Sequence, residues 1–402
     1  MATIKLYDND AYQTRFEAVV LSCKEGIFGK KEDTRKAYEV ILDQTCFFPE
    51  EGGQTPDKGS LGEAEVWDVQ IQDNNTIIHI VSQSLEEGKK VSGTIDWQHR
   101  FFNMQQHSGE HLFSGLVYQY FGYQNVGFHL SNQIVTMDFD GVLTSDEVED
   151  LEWKVNEAIT ANVEIKTSYP LKEELAELEY RSKKELDGAI RIVEILGYDR
   201  CACCAPHVHR TGEIGIFKIQ SVQSYKGGVR ISFLCGFRAL EEYRKKSQII
   251  AQLSGILTTS QEMLSENVAK MKVQTQNLKM ELGNVKQLFM EHKIAQIPKE
   301  QTTVFLFETD LETPIMRNVV NKLVEYHEGI CGIFVGNEKE GYHFIIGSKT
   351  VDCREIAKLL KETFHARGGG SALMVQGSLI AKKEQIETVL AGSCLCQLKD
   401  NV

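Results

Sequence analysis

Two short clusters of zinc-type ligands, far apart along the chain, constrain this sequence most. MQQHSGEHLFSG, residues 104–115, carries His107 and His111 four positions apart. On a helix, positions i and i+4 share a face about one turn apart, so both imidazoles can reach one ion. CACCAPHVH, residues 201–209, holds three Cys and two His within nine residues. If one ion draws on both clusters, the later loop must fold back onto the earlier helix. Such a set of N and S donors suits tetrahedral Zn(II). Spacing alone leaves Cys201, Cys203 and Cys204 open as the thiolate.

The first cluster also reads as H-x-x-E-H, the pattern of inverted-motif metallopeptidases, with Glu110 as general base. That reading needs a carboxylate ligand further on; Glu147, Glu149 and Glu152 are available. A non-catalytic, zinc-stabilised RNA-binding module is a third reading. It predicts metal and RNA binding without turnover.

The 402 residues provide for two or three domains. No stretch reaches the ~18 uninterrupted apolar residues of a membrane span. The opening MATIKLYDND lacks a basic region followed by an apolar one, so no secretory signal is expected. Ten Cys without regular spacing fit thiols kept free or metal-bound in a reducing compartment, and a cytoplasmic protein is expected. The net charge of −13 does not announce a nucleic-acid partner, so any RNA contact must use local basic patches.

The pattern divides the chain into four segments of an α+β protein. Residues 1–92 alternate apolar and polar positions over strand lengths, as in RFEAVVLSCKE and NTIIHIVSQSL. Turn residues separate them, so a small β-barrel-like domain is expected. Residues 93–238 read as an α/β domain. Phe101, Met104, Leu112, Leu116 and Tyr120 set a helical rhythm that ends at Gly122. Thr144 or Ser145 caps a second, amphipathic helix. Residues 239–296 contain no Pro, and Ile250, Leu257, Leu264, Met271, Leu278 and Val285 recur every seven residues. The alternate heptad positions are largely polar, so this is a long helix or helical pair with one packed stripe. Gly283-Asn284 is the candidate turn within it. Residues 297–402 alternate strands and helices in a small α/β domain, with RGGGSALMVQGSL as a Gly-rich turn.

Four ordered motifs, covering roughly residues 40–236, resemble the editing domain of alanyl-tRNA synthetases and their free-standing AlaX-type relatives. DQTCFFPEEGGQTPDKGSLG resembles that family's D-x-T-x-F-Y-P-E-x-G-G-Q-x-x-D-x-G loop. DWQHRFFNMQQHSGEHLFSG resembles its H-x-x-x-H helix, and GFHLSNQIVTMDFD the strands after it. CCAPHVHRTGEIGIFKI resembles its C-x-x-x-H segment. The resemblance implies that His107, His111, Cys203 and His207 bind Zn(II), with Cys201 and Cys204 as bystanders and His209 directed elsewhere. Glu110 then falls between ligands and faces away. The family's usual C-G-G-T-H is C-C-A-P-H here, a departure that bears on amino-acid recognition.

The resemblance further implies hydrolysis of the ester in mischarged tRNA(Ala), carrying Ser or Gly. Thr45, Gln54, His129, Asn132 and Asp138 are the candidates to line the substrate pocket. No group is assigned as catalytic acid or base. The helical segment and the G-G-G-x-x-x-M-x-x-G pattern of RGGGSALMVQG, 367–377, resemble the end of alanyl-tRNA synthetase. They imply tRNA contacts at Arg367, Gly368, Gly369 and Gly370 and a possible homodimer through 239–402. Nothing resembles a synthetase's ATP-binding core, so no aminoacylation is expected.

Overall fold

The computed structural model describes residues 2–29, 34–131, 134–182 and 189–397. The chain forms two compact units, Met1–Ala251 and Gln252–Val402.

The first unit begins with β1 (Ile4–Lys5), β2 (Arg15–Phe28), β3 (Arg35–Leu42), β4 (Gln44–Thr45), β5 (Gly59–Leu61), β6 (Ala64–Ile71), β7 (Ile77–Val81) and β8 (Lys90–Ile95). Six of these close a barrel in the order β2-β3-β7-β6-β5-β8, with β8 antiparallel to both β5 and β2. Period-two alternation does this: Phe16, Ala18 and Val20 point inward from β2 and meet Val40, Leu42, Leu61, Val66, Val69, Ile77 and Val81. The Gly/Pro-rich segment between β4 and β5 stays outside the barrel ladder as a loop.

After the barrel come α1 (Trp97–Phe121), β9 (Asn125–Leu130), β10 (Val135–Phe139), α2 (Ser145–Ala161), β11 (Ile165–Ser168), α3 (Lys172–Glu177), β12 (Ile192–Ile195), β13 (Asp199–Ala202), β14 (Phe217–Tyr225), β15 (Gly228–Cys235) and α4 (Gly236–Leu257). Asp96 caps α1 by accepting from the His99 N–H, and Gly122 ends it in the left-handed region. Thr144 and Glu147 form a reciprocal capping box on α2. The strands make an antiparallel sheet, β14-β15-β10-β9, and a smaller one, β11-β12-β13. Leu112, Phe113 and Leu116 of α1 pack with Met137, Leu151, Val155, Phe217 and Phe233. Helix α1 is therefore a central one, buried nearly all round from Asn103 to Val117. That burial puts its polar residues at the heart of the unit.

The second unit holds α5 (Leu264–Ala295), β16 (Val304–Glu308), α6 (Thr313–Tyr326), β17 (Cys331–Asn337), β18 (Gly341–Gly347), α7 (Cys353–Phe364), β19 (Arg367–Gly370), β20 (Met374–Leu379) and α8 (Lys383–Gln397). Its sheet runs β16-β17-β18-β20-β19, with only β16 and β17 parallel. Alternate strand residues face opposite layers. Phe334 and Phe344 meet Ile356, Leu360 and Ile386, while Ile333 and Ile345 meet Val319, Leu323 and Met290.

Two sequence expectations are corrected here. The helical segment does not turn at Gly283-Asn284, since α5 runs through them; the break lies between Leu257 and Leu264. A single Gly costs only ~1 kcal/mol inside a helix, too little to end one. Arg367–Gly370 is an exposed edge strand paired to β20, not a turn; the reversal falls at 371–373. The heptad residues Met271, Leu278 and Val285 are 50%, 64% and 62% exposed. Among the described residues no helix is long and apolar enough to cross a membrane.

Candidate metal centre

His107 and His111 project from the same face of α1, their ring centroids 5.5 Å apart. The loop after β13 returns to this face and brings Cys203 and His207. The Cys203 Sγ lies 3.5 Å from His107 Nε2 and 3.4 Å from His207 Nε2. His207 packs edge-on to His111 at 4.6 Å. The ligand atoms of all four lie within 4.8 Å of one another. The three His are 2–3% exposed and Cys203 is half-buried.

Each imidazole is oriented through its outer nitrogen. His107 Nδ1 pairs with Gln54 Oε1 at 2.9 Å, so Nδ1 donates and Nε2 is left for the cluster. His111 Nδ1 donates to Asp199 Oδ2 at 2.8 Å. Ser108 Oγ meets His207 Nδ1 at 3.1 Å. Three Nε2 atoms and one sulfur thus converge. Outer hydrogen bonds of this kind fix the tautomer and ring orientation of metal-binding histidines. Asp199 is in turn gripped by Arg181, Nε to Oδ1 at 2.8 Å and an Nη to Oδ2 at 2.9 Å.

Local backbone makes these contacts possible. A Cβ at Gly115, one turn past His111, would sit 2.3 Å from the Tyr198 carbonyl oxygen, so glycine there lets Asp199 approach α1. Gly53 has φ +83° and a Cβ would sit 2.3 Å from the Phe128 carbonyl oxygen. The 51–55 loop is thereby clamped to β9. Leu130 N–H donates to the Gly53 carbonyl at 2.7 Å and Thr55 N–H to the Leu130 carbonyl at 3.2 Å. This delivers Gln54 to His107.

Electrostatics favour the ligating forms of two groups. Burial alone would raise the Cys203 thiol, but the neighbouring His107 and hydrogen bonds from the three His hold it well below its ordinary value, which favours the thiolate. Burial pushes His207 down to about 3, so it is neutral. His111 goes the other way, up to about 10. Burial opposes its charge, but Asp199 and Cys203 outweigh that. His111 must therefore give up a proton before it ligates. The donor set, three N and one S with each ring anchored, fits Zn(II). Cys201 lies beside His111 and Asp199, but that grouping shares His111 and its carboxylate is already taken by Arg181.

The structure brings Gln54 to His107, and among the described residues no hydrogen bond joins Thr45, His129 or Asp138 to the four ligands. Thr45 faces the barrel interior. His79 Nδ1 donates to the Val40 carbonyl at 3.2 Å, so its Nε2 accepts from Thr45 Oγ1 at 2.9 Å, and Phe47 N–H donates to the same oxygen at 3.0 Å. His129 is exposed on β9, and its neighbour Phe128 is the residue against His107, at 4.8 Å between ring centroids. Asp138 is paired with Arg230 at 2.6 and 2.7 Å. Asn132 lies outside the described residues. His209 stacks on Tyr12 at 4.0 Å, away from the four ligands. Glu110 does not face away. It is 1% exposed, its Oε1 accepts from Ser114 Oγ at 2.7 Å and from Asn125, and its Oε2 lies 3.9 Å from His111 Nε2. A helix buried on all sides leaves that side chain no solvent to turn to. Sequence reasoning missed Asp199, Arg181, Ser108 and Phe128. Ser108 and Asp199 sat beside the motifs; Arg181 carried no signal.

A buried His/Cys cluster beside a barrel loop is the class of site this fold defines, and two family patterns match the chain in keeping with it. Residues 190–232, which hold Cys203 and His207, match "Threonyl and Alanyl tRNA synthetase second additional domain". Residues 3–99 match "tRNA synthetases class II (A)". Synthetase-related sequence thus reaches into the barrel strands, further toward the start than the motifs from residue 40 indicate.

Among individual proteins, the chain is similar along its length to alanyl-tRNA editing proteins. Alanyl-tRNA editing protein Aarsd1 of Danio rerio is 29% identical over 395 residues, 95% of each chain. Alanyl-tRNA editing protein AlaX-L of Pyrococcus horikoshii is 27% identical, covering 95% of this chain and 96% of that one. An alanine–tRNA ligase of Ignicoccus hospitalis is 27% identical over 92% of this chain but only 40% of its own length. The C-Ala domain structure from Aquifex aeolicus alanyl-tRNA synthetase matches 22% of this chain and 86% of that one, at 25% identity and a TM-score of 0.18.

Proposed function

We propose that this chain is a trans-editing hydrolase that deacylates mischarged tRNA(Ala), with Ser as the principal amino acid removed and Gly as a second. The observation that carries the reading is the convergence of His107, His111, Cys203 and His207, each ring anchored from outside, beside the Gln54 loop. These four residues would hold a zinc ion, which when bound polarises an ester carbonyl or orients the substrate's amine or terminal ribose. Gln54 spends one amide atom on His107 and has the other available to substrate. Thr45, His129, Asn132 and Asp138 are proposed around the amino acid, with Phe128 as an apolar wall. A pocket for Ala cannot strongly reject Gly or the near-isosteric Ser, so a separate hydrolytic site has a chemical rationale.

The 1–92, 93–238, 239–296 and 297–402 segments are proposed as barrel, editing, helical and tRNA-binding parts. The exposed edge at Arg367–Gly370 offers backbone N–H groups and a guanidinium to phosphate. The uncovered heptad residues support a homodimer through 239–402. A cytoplasmic location is proposed from the free cysteines. The peptidase reading would use Glu110, which does lie near His111, but it gives no role to the loop that carries Gln54.

The test is incubation of the protein with Ser-tRNA(Ala) and Ala-tRNA(Ala). Release of Ser with Ala spared is expected. Release from neither, by zinc-loaded protein, rejects the proposal.

A further inference from the structure

Five buried side-chain polar atoms have no hydrogen-bond partner among the described residues: Tyr7 OH, Glu51 Oε2, Gln54 Nε2, Thr55 Oγ1 and Arg191 Nε. They are not scattered. Glu51, Gln54 and Thr55 belong to the one loop clamped against β9. The Glu51 carbonyl accepts the Gln54 N–H at 3.0 Å, so both side chains leave a single tight turn. The Glu51 carboxylate lies against the Cys204 thiol, and Tyr7 shares both as neighbours. Arg191 donates from another nitrogen to the carbonyls of Cys203 and Ala205, at 3.1 and 2.8 Å. All five atoms therefore border the turn that carries Cys203 or the loop that orients His107.

Buried polar groups are almost always paired in folded proteins. A concentration of unpaired ones beside a proposed reaction centre marks where a ligand's own polar groups are received. Four of the five can donate hydrogen bonds. Glu51 Oε2 alone is a carboxylate oxygen, able only to accept while carrying negative charge. Leaving such an oxygen buried and unpaired is costly, and a cation removes the cost. An aminoacyl ester carries one: the ammonium group on the carbon next to its carbonyl.

We infer that Glu51 receives the α-ammonium group of the aminoacyl ester and makes the site selective for esters of free amino acids. The inference rests on the deacylase reading and adds the feature of the substrate that the 51–55 loop recognises. Gln54, on the same turn, then faces the ester while Glu51 faces the amine. A buried water could also bond to Glu51, but it would give no preference between charged and neutral substrates.

The test compares Ser-tRNA with its deaminated counterpart, in which nitrous acid has replaced the ammonium by hydroxyl at nearly constant size. Each enzymatic rate is divided by the spontaneous hydrolysis rate of the same ester, because the ammonium itself activates the bond. Intact protein is expected to prefer the ammonium substrate by about 10- to 100-fold, the range of a charged hydrogen bond. Glu51→Gln should lose that preference, its two normalised rates becoming equal. Equal normalised rates on both esters by intact protein would overturn the inference even if the variant does not fold. Equal slowing of both esters by Glu51→Gln, with lowered zinc content, would also overturn it, since the residue would then be structural. Release from neither ester by intact protein would instead defeat the deacylase reading.

Discussion

Asp199 bridges a proposed metal ligand and a buried arginine: its Oδ2 accepts the His111 Nδ1 proton at 2.8 Å while Arg181 grips both oxygens. All three side chains are buried. Arg181 keeps the carboxylate ionised, and the carboxylate sets the tautomer of His111. Burial opposes the Asp199 charge, yet His111 and Arg181 hold its carboxyl below the ordinary range.

Asp199→Asn should therefore weaken zinc binding by roughly 10- to 100-fold, the usual cost of losing such an outer partner. Competition with a chromogenic chelator measures this directly. An unchanged affinity would show that Asp199 serves the fold alone.

Cys203 should stand out chemically from its neighbours. Its thiol is held low, whereas burial pushes those of Cys201, Cys204 and Cys235 up. In metal-free protein at pH 7, iodoacetamide should label Cys203 at least about tenfold faster than Cys204, and added zinc should suppress it. Peptide mass mapping reads both. Equal labelling, or labelling that zinc does not touch, would contradict the ligand assignment.

How much of this was legible beforehand varies with the kind of signal. His107 and His111 stand out because ligand chemistry at short spacing is local, whereas the choice of Cys203 and His207 within 201–209 rests on the family resemblance, since spacing leaves three Cys open. The barrel strands were readable because alternation marks a half-buried strand. Asp199 and Arg181 were not, because a partner brought in by tertiary folding leaves no periodic trace. Thr45 is instructive: the motif makes it a pocket candidate, and its hydroxyl proton goes to His79 of β7, a partner that no local pattern shows. The resemblance has Glu110 facing away from the ligands, but α1 is enclosed on every side and Glu110 Oε2 lies 3.9 Å from His111 Nε2.

The barrel should carry a specific acid sensitivity through His79. Burial lowers its pKa to about 4, with the Val40 hydrogen bond opposing. The unfolded chain takes up this proton near pH 6.5, earlier than the folded one. Stability from neutral His79 is thus fully present above pH 6.5 and is lost as pH falls toward 4, in total roughly 3 kcal/mol. Urea unfolding at several pH values should show this slope in intact protein and lack it in His79→Asn. Identical slopes would contradict it.

Gly53→Ala should damage the site from outside it. The added Cβ meets the Phe128 carbonyl oxygen in a backbone conformation that alanine rarely adopts. The expected cost is about 1–3 kcal/mol in urea unfolding, with weaker zinc binding because Gln54 leaves His107. Unchanged stability would mean that the loop is not clamped to β9 in solution.

The central claim is that one His/Cys cluster binds zinc and serves an ester hydrolase. The most direct measurement pairs zinc content with Ser release from Ser-tRNA(Ala) on the same samples of intact, His111→Ala and Cys203→Ala protein. The account predicts one zinc and rapid release in the intact chain, with both falling together in the two variants. Full release by variants that hold no zinc would contradict it, as would zinc-loaded intact protein that releases nothing.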